Sequence, residues 1–251
     1  MRKRTLAVLQ ARMSSSRLPG KVMMEINQHP MIYWQIERIL KAKTVDNLIV
    51  AISVDSSDDV LANFLEGLPV TVCRGSLDNV FSRFFEVVSK FEYDALIRLT
   101  GDCPLVMPEL IDIMVKEFYL KDVDYLSNTI EPTFPDGLDI EIIKRGTLER
   151  LETFALGPKE LEHVTYGIYT RPEEFKLINF RSEINQSDAR WTVDYQEDLD
   201  FVRVIFNQFC GRESKFTLEE VGRFLDENPQ LQSLNQGYFR NEQLHSHRDK
   251  G

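Results

Sequence analysis

The chain has 251 residues, 43% hydrophobic and 28% charged, enough to bury one full core or two smaller ones. Its 40 acidic and 30 basic residues leave a formal net charge of -10. That balance excludes the broad basic footprint of a nucleic-acid binder, though a few local cations can still hold a small phosphorylated ligand. The apolar run Leu6–Leu9 falls short of the roughly 7–15 residues of a signal-peptide core, and no stretch approaches the ~18–20 of a membrane span. The cysteines Cys73, Cys103 and Cys210 are widely spaced, as suits reduced thiols. A cytoplasmic protein without nucleic-acid or membrane contact is expected.

In chain order, Thr5–Leu9 is a short apolar run ending in polar residues, the pattern of a buried strand. Residues 31–41 set Ile32, Gln35, Ile36, Ile39 and Leu40 at mostly helical spacing. Asn47–Ser53 is a second buried strand, and Ser57-Asp-Asp59 predicts the cap of a helix reaching about Glu66. A third strand is expected at Pro69–Cys73. The helix Asp78–Lys90 follows, with Val80, Phe81, Phe84, Val87 and Val88 on one face. Asp94–Thr100 is a fourth strand, followed by Gly101-Asp-Cys-Pro104 and a helix from about Pro108 to Tyr119 with proline in its first turn. Strands alternating with such helices predict an α/β, Rossmann-like, mostly parallel sheet covered on both faces. Ligands of these sheets lie at the carboxyl ends of the strands, where the segments after Leu9 and Thr100 both emerge.

The second half is less regular. Leu138–Ile143 alternates apolar and acidic residues and reads as a strand with one wet face. Thr147–Phe154 and Glu160–Tyr166 read as helices, Phe175–Phe180 as a strand, and Glu197–Phe209 and Leu218–Glu227 as helices. The simplest organisation is one domain over residues 1–228, with a smaller β-rich lobe at about 125–190. The polar tail 229–251 is expected to be loosely held or to lean on a partner subunit.

Three segments carry candidate chemistry. In Gln10-Ala-Arg-Met-Ser-Ser-Ser-Arg-Leu-Pro-Gly-Lys21, three cations and three hydroxyls fall within ten residues, and Pro19-Gly20 forces the loop to double back. Guanidinium forks and backbone N–H groups in such a loop suit phosphate oxygens; a solvated basic loop is the plain alternative. The spacing is not that of a P-loop. Asp102, held between glycine and proline past a strand, either holds Mg²⁺, which takes one or two carboxylates plus phosphate oxygens and water, or caps a helix. In Arg190-Trp-Thr-Val-Asp194-Tyr-Gln-Glu-Asp198, Asp194 is either a second magnesium carboxylate or an N-cap, with Glu197 and Asp198 favoured in a helix first turn by its dipole.

The loop 11–21 closely resembles the signature of the sugar cytidylyltransferases, typified by 3-deoxy-manno-octulosonate cytidylyltransferase. Leu99-Thr-Gly-Asp102-Cys-Pro-Leu and Thr192-Val-Asp194-Tyr-Gln-Glu-Asp-Leu are similar to that family's Gly-Asp-x-Pro and Asp-x-x-Glu-Asp-Leu elements. Arg74-Gly-Ser-Leu-Asp78-Asn-Val and Pro135-Asp-Gly-Leu-Asp139-Ile-Glu141 look most like the SpsF-type spore-coat polysaccharide branch. The likeness spans roughly residues 5–210. It implies a nucleotide-diphospho-sugar transferase fold whose smaller lobe serves acceptor binding and dimerisation. It also implies transfer of a nucleoside monophosphate from CTP to a sugar or sugar phosphate with release of pyrophosphate, for surface polysaccharide synthesis, by a homodimer.

On that resemblance, Arg12, Arg17, Lys21 and Asp102 are the candidate catalytic residues, and Asp102 and Asp194 the candidate Mg²⁺ ligands. Gln10, Ala11, Ser15, Arg74, Asp78 and Arg98 are the candidate nucleotide-binding residues, with Arg74 and Asp78, at the start of a helix, either touching base or ribose or capping that helix. Asp136, Asp139 and Glu141 sit either where an acceptor sugar binds or on a surface strand. Glu162 and His163 either line the acceptor side or are structural. His245 and His247 are metal ligands or simply part of a polar tail. A glycosyltransferase of similar fold, a non-catalytic scaffold in polysaccharide assembly and a cytidylyltransferase for a non-sugar alcohol phosphate are the rival readings.

Overall fold

Leu6, Ala7, Val8 and Leu9 are all buried, because strand β1 (Thr5–Gln10) lies mid-sheet with both faces covered. Alternate side chains therefore enter opposite layers: Ala7 and Leu9 join one apolar cluster, Leu6 and Val8 the other. The computed structural model describes residues 3–238 and 240. After β1 come the small hairpin β2 (Glu25–Ile26) and β3 (His29–Pro30), α1 (Met31–Ile39), β4 (Asn47–Ser53), α2 (Asp59–Leu65), β5 (Thr71–Gly75), α3 (Val80–Lys90), β6 (Ala95–Thr100) and α4 (Pro108–Lys121). The second half adds β7 (Tyr125–Ser127), β8 (Glu141–Lys144), α5 (Thr147–Glu152), α6 (Pro158–Glu162), α7 (Tyr166–Tyr169), β9 (Leu177–Asn179), α8 (Gln196–Gln208) and α9 (Leu218–Glu227).

Seven strands form one sheet in the order β5-β4-β1-β6-β8-β7-β9. Strands β5, β4, β1 and β6 are mutually parallel, with Leu9 opposite Val50 on one side and Leu99 on the other. Only β8 is reversed, pairing antiparallel with both β6 and β7. The expected mostly parallel α/β sheet is present, and the strands of residues 125–190 extend that same sheet. Helix α3 fills one face through Phe84 and Val87, while α1, α4 and α8 fill the other. Each large apolar side chain so buried, such as Phe84 or Phe201, is worth roughly 1.5–3 kcal/mol. Among the described residues no helix is long and apolar enough to cross a membrane.

Several local expectations are corrected. Ser57-Asp-Asp59 does not cap α2; Asp55 accepts from the Ser57 backbone N–H at 2.8 Å, and Asp58 is fully buried. The expected helix Glu160–Tyr166 splits into α6 and α7, because His163 leaves helical geometry at φ -110, ψ 87. Strand β8 starts only at Glu141, whose side chain is buried rather than wet. Within the expected tail, residues 229–235 are held in place. Residues 229–235 form a 3₁₀ turn whose buried Asn235 donates to the Arg190 carbonyl (2.9 Å) and Asp198 (3.0 Å), and Tyr238 stacks on Tyr195 at 3.9 Å. His245 and His247 lie outside the described residues.

Candidate active site

The loop after β1 is folded by its own backbone. Ser15 N–H and Gly20 N–H both donate to the Met13 carbonyl, at 2.9 and 2.8 Å, so residues 13–20 close into a ring. Gly20 closes it at φ 74, a left-handed conformation that costs glycine little. The loop is also pinned from below: the buried Asp58 carboxylate accepts from the Met13 N–H (2.6 Å), the Ser53 N–H (2.8 Å) and the Ser53 hydroxyl (2.5 Å). Gly101 brings the second segment against the loop. Its N–H donates to the Gln10 carbonyl at 2.8 Å, and a Cβ there would stand only 3.0 Å from that of Ala11.

The third segment completes the arrangement. Val193 N–H donates to the Asp102 carbonyl at 2.8 Å, and Thr192 Oγ1 does so at 3.2 Å. Asp102 and Asp194 are thereby held on two sides of the Lys21 ammonium, whose Nζ is 3.6 Å from Asp102 Oδ2 and 2.8 Å from Asp194 Oδ1. Lys21 also donates to the Val193 carbonyl at 2.7 Å. Burial opposes the ammonium charge, but Asp102 and Asp194 outweigh it and raise the Lys21 pKa. Asp194 also receives Arg17 at 2.6 Å and Arg190 at 3.2 Å. Burial would raise its pKa; Lys21 and Arg17 instead pull it down to about 2.

Arg12, Ser15, Arg17, Lys21, Asp102 and Asp194 line a cleft of about 630 Å³, together with Gln10, Ala11 and Arg98. Arg12 makes no hydrogen bond or ion pair among the described residues and is free to receive an anion. Beneath it the Arg83 guanidinium is 2% exposed with none of its nitrogens hydrogen-bonded. Burial and the neighbouring Arg12 charge lower its pKa to about 10.

Asp136, Asp139, Glu141, Glu162 and His163 line the same cleft. Glu141 enters the sheet opposite Arg98 and is bound by the Arg98 guanidinium, the Tyr125 hydroxyl and, at 2.5 Å, the Thr165 hydroxyl. Burial, then the charge of Asp139, raise the Asp136 pKa to about 7.

Two candidates fall elsewhere. Arg74 is not among the residues that line the cleft and is tied to the Ser53 carbonyl (2.9 Å) and to Asp59 (2.7 Å). Asp78 is exposed, and Asn79 instead caps α3 by accepting from the Ser82 N–H at 2.8 Å. Two residues gain weight that sequence reasoning missed. Asp58 was hidden in a polar run where every residue is a plausible cap. Arg190, quoted but given no role, joins Asp136 (3.1 Å), Asp194 and Asp198 (2.8 Å).

A parallel sheet with a cationic loop and two carboxylates at its carboxyl edge defines an α/β protein of the nucleotide-diphospho-sugar transferase type. The chain belongs to the cytidylyltransferase family, whose profile it matches over residues 6–244. It is similar to the spore coat polysaccharide biosynthesis protein SpsF of Bacillus subtilis, 30% identical over 231 residues covering 89% of this chain and 95% of that protein. A solved cytidylyltransferase from Leptospira borgpetersenii superposes with a TM-score of 0.89 at 28% identity, over 95% of this chain and 100% of that one. CMP:2-keto-3-deoxy-manno-octonic acid synthetase, solved in complex with CTP, shares the fold at a TM-score of 0.63 and 20% identity, over 82% of this chain and 99% of that one.

Proposed function

We propose that the protein is a Mg²⁺-dependent sugar cytidylyltransferase that joins CMP from CTP to a sugar or sugar phosphate, in surface polysaccharide synthesis. The supporting observation is the convergence of Arg12, Arg17 and Lys21 with Asp102 and Asp194 on a single cleft. An acceptor oxygen bonds to the α-phosphorus, the bond from that phosphorus to the β-phosphate oxygen breaks, pyrophosphate leaves, and the acceptor proton passes to water.

The carboxylates suit a magnesium ion. Both approach one ammonium from different sides, and the Asp102 side chain, 30% exposed, opens to the cleft. Two carboxylates with phosphate oxygens and water satisfy this hard cation. When bound, Mg²⁺ would neutralise phosphate charge and acidify the acceptor hydroxyl. The remaining work falls to the chain. Arg12 binds phosphate oxygens directly; Arg17 and Lys21 exchange Asp194 for them, which frees that carboxylate for the metal. These preorganised cations then stabilise charge on the leaving pyrophosphate. Homodimer formation through residues 125–190 belongs to the same reading; light scattering tests it.

The test is pyrophosphate release with each of the four nucleoside triphosphates across sugars and sugar phosphates, with calorimetry of CTP binding. CTP should be preferred, and Asp102→Asn should lower kcat about 100-fold or more. A folded protein that neither binds CTP nor releases pyrophosphate would refute the reading.

A further inference from the structure

Arg83 sits on the buried face of α3 with Phe84 and Val87, one helical turn after Val80, which lines the cleft. Its side chain is 2% exposed, and Nε and both Nη atoms have no hydrogen-bond partner among the described residues. Buried polar groups nearly always find a partner, and a buried charge without one is costlier still. Arg38 shows what a structural arginine does in this fold. It is equally buried, yet it donates to the carbonyls of Val106, Glu213 and Phe216. Arg83 has no such carbonyls, and its stem is wedged in place. A Cβ on Gly75, the last residue of β5, would stand 2.5 Å from Arg83 Cγ, so the strand end gives up a side chain to let that stem pass.

Two charges act on this guanidinium. Asp58 favours it, but that carboxylate accepts from Met13 and Ser53 instead. Arg12 opposes it, and Arg12 lines the cleft without a hydrogen bond or ion pair of its own. Burial and Arg12 lower the Arg83 pKa only to about 10, so both groups are charged at neutral pH. Two neighbouring like charges without partners weaken the ligand-free fold, and an anion beside them turns both to advantage. Granting that a nucleoside triphosphate docks on the loop after β1, on which this rests, we infer that Arg83 is a positioning residue for a nucleotide phosphate. Arg12 touches that phosphate. Arg83 keeps Arg12 turned into the cleft by repulsion and adds a second, buried charge behind it. The two roles open to a buried arginine then differ in sign: removing Arg38 weakens the fold, whereas removing the Arg83 charge relieves it and weakens the ligand.

The test compares full-length wild type, Arg83→Met and Arg83→Lys by thermal unfolding and by calorimetry with CTP and Mg²⁺. Methionine keeps an apolar stem against Gly75 and removes the charge; lysine keeps the charge. Ligand-free Arg83→Met should melt at or above wild type, by up to about 4 °C, while its Kd for CTP weakens about tenfold. Arg83→Lys should bind CTP within about threefold of wild type. A lower Tm for Arg83→Met, or its failure to fold, would mark a structural arginine and overturn the inference. So would a CTP Kd weakened less than about threefold, or a lysine variant that binds no better than the methionine one. In each of these cases CTP binding by wild type leaves the cytidylyltransferase reading standing. A folded wild type that does not bind CTP would overturn both.

Discussion

Replacing Asp58 with asparagine tests whether the loop of residues 13–20 is held from beneath. The side chain is fully buried, and its two oxygens accept three bonds, one from Met13 N–H and two from Ser53. Asparagine keeps the shape but has one acceptor oxygen. Turned towards Ser53, it faces its NH₂ at the Met13 N–H; turned towards Met13, it leaves the Ser53 N–H without an acceptor. Either way at least one charge-assisted bond is lost and a buried donor is stranded. At about 1.5–3 kcal/mol for such a bond, the variant should be destabilised by roughly 2–4 kcal/mol, read by urea unfolding. The effect on ligand should be separate. Met13 is the point on which the ring of residues 13–20 closes, so Arg12 and Ser15 lose their fixed positions. A loss of about 1.4 kcal/mol in preorganisation corresponds to a tenfold weaker Kd for CTP. A Kd for CTP within twofold of wild type, in a variant that is measurably destabilised, would refute the loop-anchoring role.

Lys21→Met removes the ammonium between Asp102 and Asp194 and should lower kcat about 10²–10³-fold; a change under fivefold would sink its assignment. Arg38, buried and donating to the carbonyls of Val106 (2.7 Å), Glu213 (2.9 Å) and Phe216 (3.0 Å), lies outside the cleft. Arg38→Met should therefore cost about 3–5 kcal/mol of stability with no change in CTP affinity. For Asp136, a folded pKa of about 7 exceeds the unfolded value near 3.9, so its contribution is fully present below about pH 4 and lost as pH rises through 7. The Tm of Asp136→Asn relative to wild type should accordingly climb between pH 5 and pH 8; a flat or falling difference would contradict the raised pKa. Asp194 has the opposite sign: held down to about 2, it supports the fold above about pH 4 and loses that support as pH falls towards 2.

The half of the molecule built from local rules was readable in advance. Helix α9 occupies Leu218–Glu227 as expected, because Thr217 and Glu220 satisfy each other's backbone N–H groups within four residues. The parallel strands were readable because burial on both faces makes them uniformly apolar. Readings that depended on distant partners went astray. Glu141 alternates with apolar neighbours like any half-exposed strand residue, and what buries it is Arg98, 43 positions earlier. Asn235 sits in a glutamine- and asparagine-rich stretch that looks unstructured, yet its partner Asp198 lies 37 positions back. Within the cleft, the glycine and proline turns marked the loop and Asp102. Arg74 and Asp78 share a segment with the end of β5, but a motif does not say which side of a strand end its charges leave from, and neither residue is among those that line the cleft.

The reversal of β8 divides the rim of the sheet into two independently adjustable parts. Parallel strands reach that rim with their last residues, so changing the loop after β1 or β6 alters the donor grip. Strand β8 reaches it with its first residue, Glu141, beside the ends of β6 and β7. The connection 128–140 that feeds β8 can lengthen, shorten or change its charges while the register of β1, β4, β5 and β6 stays put. Drift within relatives of this architecture should therefore concentrate in that connection of about a dozen residues, which can be rewritten without disturbing the parallel strands.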